Sequence, residues 1–185
     1  MKIAFYGTAR HVGTSANMAA VAAGFWHYLK IPAFMEAFPA DTGSKIQRVS
    51  LFDCSRSADS EECIKRCDLL ALNISFAYQN LEEAYFRHSL VQKNVVFLVG
   101  KYYQDRSDKL AYLAKEYRVD RSRICTLPYN TRFGYAYENQ RVLHYVENWK
   151  KSKESYADLD FKKNLKHAVS TMIYYADRKG EMHYG

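Results

Sequence analysis

The chain has 185 residues, 48% hydrophobic and 25% charged, with eight glycines and three prolines; this excludes a disordered, collagen-like or low-complexity polymer and leaves room for one domain with a real core. A formal charge of +7, from 27 basic and 20 acidic residues, suits a polyanion partner or simply solvated basic faces. The longest run without Lys, Arg, Asp or Glu carries Gly13, Thr14, Ser15, Asn17 and His27, which argues against a membrane span, and Ile3 to Tyr6 runs straight into Gly7, Thr8 and Arg10, which argues against an export signal; a cytoplasmic protein is expected.

Lys2 to Tyr6 (KIAFY) reads as a first strand closed by Gly7, followed by a polar loop and a helix. In that helix Met18, Val21, Ala22, Phe25 and Leu29 recur three and four apart as one apolar stripe, and Pro32 ends it. Residues 31 to 46, with Pro32, Pro39, Asp41, Thr42 and Gly43, read as irregular, and Val49 to Asp53 (VSLFD) as the second strand. Ser60 to Cys67 gives a brief helix, Leu69 to Ile74 a buried strand, Leu81, Ala84, Tyr85, His88 and Val91 a helix face, and Asn94 to Val99 another strand. Leu110, Leu113, Ala114 and Tyr117 repeat the helical stripe before a last short strand, Ile124 to Leu127. Apolar strands alternating with amphipathic helices predict a three-layer α/β domain over residues 1–150, with a mostly parallel sheet of about five strands. After the surface linker KKSKES, a final helix over residues 151–185 is expected to pack on that domain, capped by Asp160, striped by Phe161, Leu165, Val169, Met172, Ile173 and Ala176, and stopped by Gly180.

Ligands of open α/β sheets bind beyond the carboxyl ends of the strands, most often at the first strand-loop-helix turn. Here that turn is Gly7 to Ser15, GTARHVGTS. Backbone N–H groups and the positive end of the next helix would attract a phosphate there, with Gly13 allowing close approach. A working P-loop reads G-x-x-x-x-G-K-[ST], in which the lysine reaches the β- and γ-phosphates and the hydroxyl holds magnesium. Thr14 stands at the lysine position, Ser15 at the hydroxyl position, and Thr8 where the first glycine belongs.

On these residues Ala9 to Ala19 (ARHVGTSANMA) resembles, in degraded form, the K-G-G-x-G-K-[ST]-[ST] loop of the ParA/MinD family of deviant Walker ATPases. Ala9 and Thr14 replace both family lysines and Arg10 and His11 two glycines, while Val12, Gly13, Ser15, Asn17 and Ala19 fit. Val49 to Asp53 looks like the family's Walker B strand, and Leu127-Pro128-Tyr129-Asn130 like its loop beside the adenine. The resemblance implies ATP or ADP with magnesium, held by Arg10, His11, Val12, Gly13, Thr14 and Ser15, bordered by Pro128, Tyr129 and Asn130, with Ser15 and Asp53 on the metal. It implies dimerisation and the positioning of cargo such as DNA, division proteins, or pilus and secretion machinery. Only about twenty residues stand where the family places a second strand, helices and an acidic switch residue, so that crossover is expected to be largely missing. A missing γ-phosphate lysine typically costs ~10²-fold or more in rate, and no catalytic residue is assigned: the expectation is a pseudo-ATPase.

The bland readings stand beside these. Asp53 could merely cap a loop; Cys54, Cys63, Cys67 and Cys125 are expected as reduced thiols, with Cys63 and Cys67 as small buried side chains rather than metal ligands; and His88 reads as a core or interface residue. Arg10 and His11 could fill the pocket, which would make the chain a pure protein-interaction module with a tyrosine-rich partner surface. A flavin-binding domain is a third class. Lys101, Arg106, Arg118, Arg121 and Arg123 are the residues through which DNA would bind.

Overall fold

The computed structural model describes residues 1–9, 12–36, 48–55, 59–74, 94–102, 107–116, 118–150 and 155–177. Its centre is a six-stranded sheet: β1 (Lys2–Gly7), β2 (Ala33–Glu36), β3 (Val49–Asp53), β4 (Leu69–Ile74), β5 (Val95–Tyr102) and β6 (Ile124–Pro128). All neighbours pair in parallel, in the order β2-β3-β1-β4-β5-β6. The inner strands are nearly continuous apolar runs because both of their faces are covered. Side chains alternate between those faces along each strand. Ile3, Phe5, Leu51, Leu69 and Leu98 point to one core, and Ala4, Phe52, Leu70, Leu72 and Phe97 to the other.

The first face carries α1 (Thr14–Gly24), α4 (Thr131–Glu138), α5 (Val142–Glu147) and α6 (Tyr156–Asp177); the second carries α2 (Ser60–Arg66) and α3 (Ser107–Glu116). The class is the expected α/β with helices on both faces, but with one more strand than the five expected. The extra strand is β2, in the stretch read as irregular. It lies at the sheet edge, pairs only with β3, and leaves Phe34 and Met35 about half exposed, so it shows no apolar run. Its end is tied by Arg48, 3.3 Å from Glu36 Oε1, and by the Ser50 hydroxyl, which donates to the same oxygen. The strand expected to be missing from the first crossover is therefore present.

Helix α1 is buried nearly all round, under α6 as well as on the sheet. It widens into a π-helical turn, Phe25–Leu29, which Lys30 closes in a left-handed conformation with φ 59°. The wider turn rotates Leu29 off the expected stripe, and it is exposed. The start of the final helix also differs: it begins at Tyr156, not after Asp160. Ser155 Oγ accepts the Asp158 N–H while Asp158 Oδ2 accepts the Ser155 N–H, a reciprocal cap. Asp160 instead accepts the side chain of Asn164 within the helix. The helix packs on β6 and α1, with Phe161, Leu165 and Met172 at most 1% exposed.

Cys54 and Cys63 are joined in a disulfide, contrary to the expectation of four reduced thiols; they face each other where the end of β3 meets α2, with Cα atoms 6.5 Å apart. Cys67 and Cys125 are free and buried. Among the described residues no helix is long and apolar enough to cross a membrane. The expected helix face from Leu81 to Val91 and the stop at Gly180 lie outside the described residues.

Candidate functional site

β1 and β3 are neighbours, yet the helix after β1 covers one face of the sheet and the helix after β3 the other. Strand connections that part in this way leave a crevice at the carboxyl ends. A cavity of about 1110 Å³ opens there, lined by the loop after β1, Asp53 and Ser55 at the end of β3, Lys101 on β5, and Pro128 to Asn130 at the end of β6. Phe133, Tyr137 and Glu138 of α4 and Phe161 of α6 close the far side. Small-molecule sites typically occupy about 300–1,000 Å³, so the space admits a ligand of nucleotide size.

At the near end the loop enters α1 through Gly13, whose φ of 84° is a left-handed conformation that a side chain strains. Its carbonyl accepts the Asn17 N–H at 2.8 Å, the first bond of the helix, and as a glycine it has no side chain of its own to cap the turn. The first amides of a helix have no partner within it and are open to a ligand or solvent. A chain of hydrogen bonds ties two strand ends and one helix start together: Ser15 Oγ donates to Asp53 Oδ2 at 2.8 Å, Asp53 Oδ1 accepts the Ser55 N–H at 3.1 Å, and Ser55 Oγ accepts the Gly7 N–H at 2.8 Å.

Beneath the loop, Asn17 and Asn73 are buried and pair amide to amide at 3.0 Å, and Asn73 also donates to the Ala71 carbonyl. Gly100 of β5 completes this floor: a Cβ there would lie 2.6 Å from Asn17 Nδ2 and 3.1 Å from the Val12 carbonyl oxygen. Only glycine admits so close an approach.

At the far end Asn130 caps α4, its Oδ1 accepting the Phe133 N–H at 2.8 Å, while its Nδ2 donates to Asp158 Oδ1 at 3.1 Å and to the Ala157 carbonyl. Asp158 also accepts from Arg132 at 2.8 Å, from the Ser155 hydroxyl at 2.7 Å and from the Tyr145 hydroxyl at 3.1 Å. Burial alone would raise its carboxyl, but the bonds from Ser155, Asn130 and Tyr145 outweigh it and hold the group at about 2, below the ordinary 3.8. Burial pushes the Tyr145 hydroxyl the other way, upward.

The expected residues Val12, Gly13, Thr14, Ser15, Asp53, Pro128, Tyr129 and Asn130 all line this one cavity; Arg10 and His11 lie outside the described residues. Thr14 is buried, and its hydroxyl packs against Gly7 instead of reaching across the cavity as a lysine would. Asn130 borders the space with its amide already engaged by α4 and α6, so it positions the rim. Sequence reasoning matched Asn17 to the loop motif without giving it a role, missed Ser55 and Glu138, and placed Lys101 among residues for a DNA surface. Of that group Arg123 has an internal role: it donates to Asn94 Oδ1 and the Val95 carbonyl and lies 4.1 Å over the Tyr175 ring. Arg106 lies outside the described residues.

Ser15 and Asp53 offer two oxygen donors within 2.8 Å of each other, a set that suits magnesium, which takes one or two protein oxygens and completes its shell with phosphates and water. Among the described residues no cluster of three or more His, Cys, Asp or Glu side chains could hold a metal ion. No protein-family model matches the chain, and neither does any curated protein.

Proposed function

We propose that the protein is a degenerate ParA/MinD-like domain that binds a nucleotide with magnesium in the cavity beyond β1, β3 and β6, hydrolyses it slowly or not at all, and serves to position or assemble a cellular machine. The observation that carries this reading is the convergence on one cavity of an uncapped, glycine-led helix start and a hydroxyl–carboxylate pair, Ser15 with Asp53. The backbone of Val12 to Ser15 would hold the phosphates, and Ser15 and Asp53 would hold the metal, which supplies charge neutralisation when bound. The reading of little turnover rests on Thr14: a short, buried hydroxyl stands where catalysis needs a cation on the transferred phosphate.

Isothermal titration with ATP and magnesium tests it. Wild type is expected to release heat on binding, with the affinity reduced in Ser15→Ala and Asp53→Ala, and turnover is expected near the uncatalysed background. Absence of heat in all three proteins refutes nucleotide binding and favours the interaction module; brisk turnover refutes the pseudo-ATPase.

A further inference from the structure

The pairing of β5 with β6 slips once. Gly100 faces Leu127 and Tyr102 faces Pro128, so Lys101 is an extra residue, a β-bulge. Its φ is 51°, a left-handed conformation that a lysine adopts only at a cost. Bulges of this kind re-aim a side chain and cluster beside functional sites. Here the neighbours Val99 and Tyr102 stay buried, while Lys101 is turned out of the core and lines the cavity.

Charge makes that placement informative. Among the described residues lining the cavity, Asp53 and Glu138 are the acids and Lys101 is the only base. Among the described residues the Lys101 side chain takes no ion pair or hydrogen bond, so none of their acids neutralises this cation at the cavity wall. A Cβ on the residue before it, Gly100, would run into Asn17 and the Val12 carbonyl, which sets the bulge beside the loop after β1. A cation is thus delivered from β5 to the loop whose own lysine position is filled by Thr14.

We propose that Lys101 binds a phosphate of the ligand, supplying from β5 a positive charge in place of the loop lysine position that Thr14 fills. This inference rests on the nucleotide reading of the cavity. Lysine is a compact point charge on a flexible stem, suited to meeting a phosphate oxygen from a neighbouring strand.

The test is titration of wild type, Lys101→Met, Lys101→Arg and Lys101→Gly with adenosine, AMP, ADP and ATP, each with magnesium. A lost charge-assisted hydrogen bond is expected to weaken ATP and ADP about tenfold or more in Lys101→Met while leaving adenosine unchanged. Lys101→Arg is expected to keep most of the phosphate dependence. Lys101→Gly, relieved of the left-handed strain, is expected to melt at a higher temperature than wild type yet lose phosphate discrimination as Lys101→Met does. Equal weakening of adenosine and ATP would show that the stem packs on the base, and unchanged ATP affinity in Lys101→Met would show that the charge is idle; either overturns the inference and leaves nucleotide binding standing. Failure of wild type to bind any of the four overturns the nucleotide reading itself, and this inference with it.

Discussion

Asp158→Asn keeps the shape of a buried side chain and removes its charge, at a point where every recorded partner is a donor: Arg132, Asn130, Tyr145, and Ser155 through both N–H and hydroxyl. An amide NH₂ cannot accept from them. The folded carboxyl sits at about 2 against an ordinary 3.8. Each tenfold in proton affinity is worth about 1.4 kcal/mol, so the charged form contributes about 2 kcal/mol at neutral pH. The sign follows from the depressed value: the contribution is complete above about pH 5, falls as pH drops through 4, and is mostly gone by pH 2. Urea unfolding at pH 7, 4 and 2 measures it. Wild type is expected to exceed Asp158→Asn by about 2 kcal/mol at pH 7, with the gap closing at pH 2; a gap that does not change with pH refutes the reasoning. At pH 7 the same loss is expected to lower the melting temperature by about 4–8 °C.

Gly100→Ala places a Cβ 2.6 Å from the Asn17 amide and 3.1 Å from the Val12 carbonyl oxygen; it is expected to cost about 1–3 kcal/mol in chemical denaturation and to weaken ligand binding by shifting the loop. Phe161→Ala empties a site that is 1% exposed and stacked on Phe133 with ring centres 4.8 Å apart, and a loss of about 3–5 kcal/mol is expected by the same measurement. Burial pushes the Cys125 thiol up to about 11, against a hydrogen bond from Thr171, and Cys67 is buried as well. Thiol titration at pH 8 is therefore expected to find no fast-reacting group in the folded protein, two after unfolding, and four after unfolding with reductant; four without reductant would contradict the Cys54–Cys63 bond.

Much of the architecture was legible because buried parallel strands advertise themselves. VSLFD, LLALNI and NVVFLV have no polar face to hide the pattern, and each ends close to where the loops gather. β2 was not legible because an edge strand that exposes Phe34 and Met35 carries neither alternation nor an apolar run, and Pro32 before it reads as a breaker. The loop, Asp53 and the Pro128 to Asn130 turn could be placed together from topology alone, since all follow strands of one parallel sheet. The left-handed turn of Lys101 was not legible: a bulge depends on register with β6, and GKYY carries no mark of it. The Ser155–Asp158 cap was visible as S-x-x-D and lost to the nearer Asp160, because the linker reading stopped one residue too late. The disulfide escaped because a spacing of nine residues does not say which faces Cys54 and Cys63 turn to each other.

Asn130 is fastened on both sides, to the start of α4 by one atom of its amide and to α6 by the other. The wall that carries Pro128 and Tyr129 is consequently rigged to α6, the longest helix among the described residues, and has little slack of its own. Accommodation of guests of different size then falls to the opposite lip, where Gly13 bends the chain into α1 through a left-handed conformation.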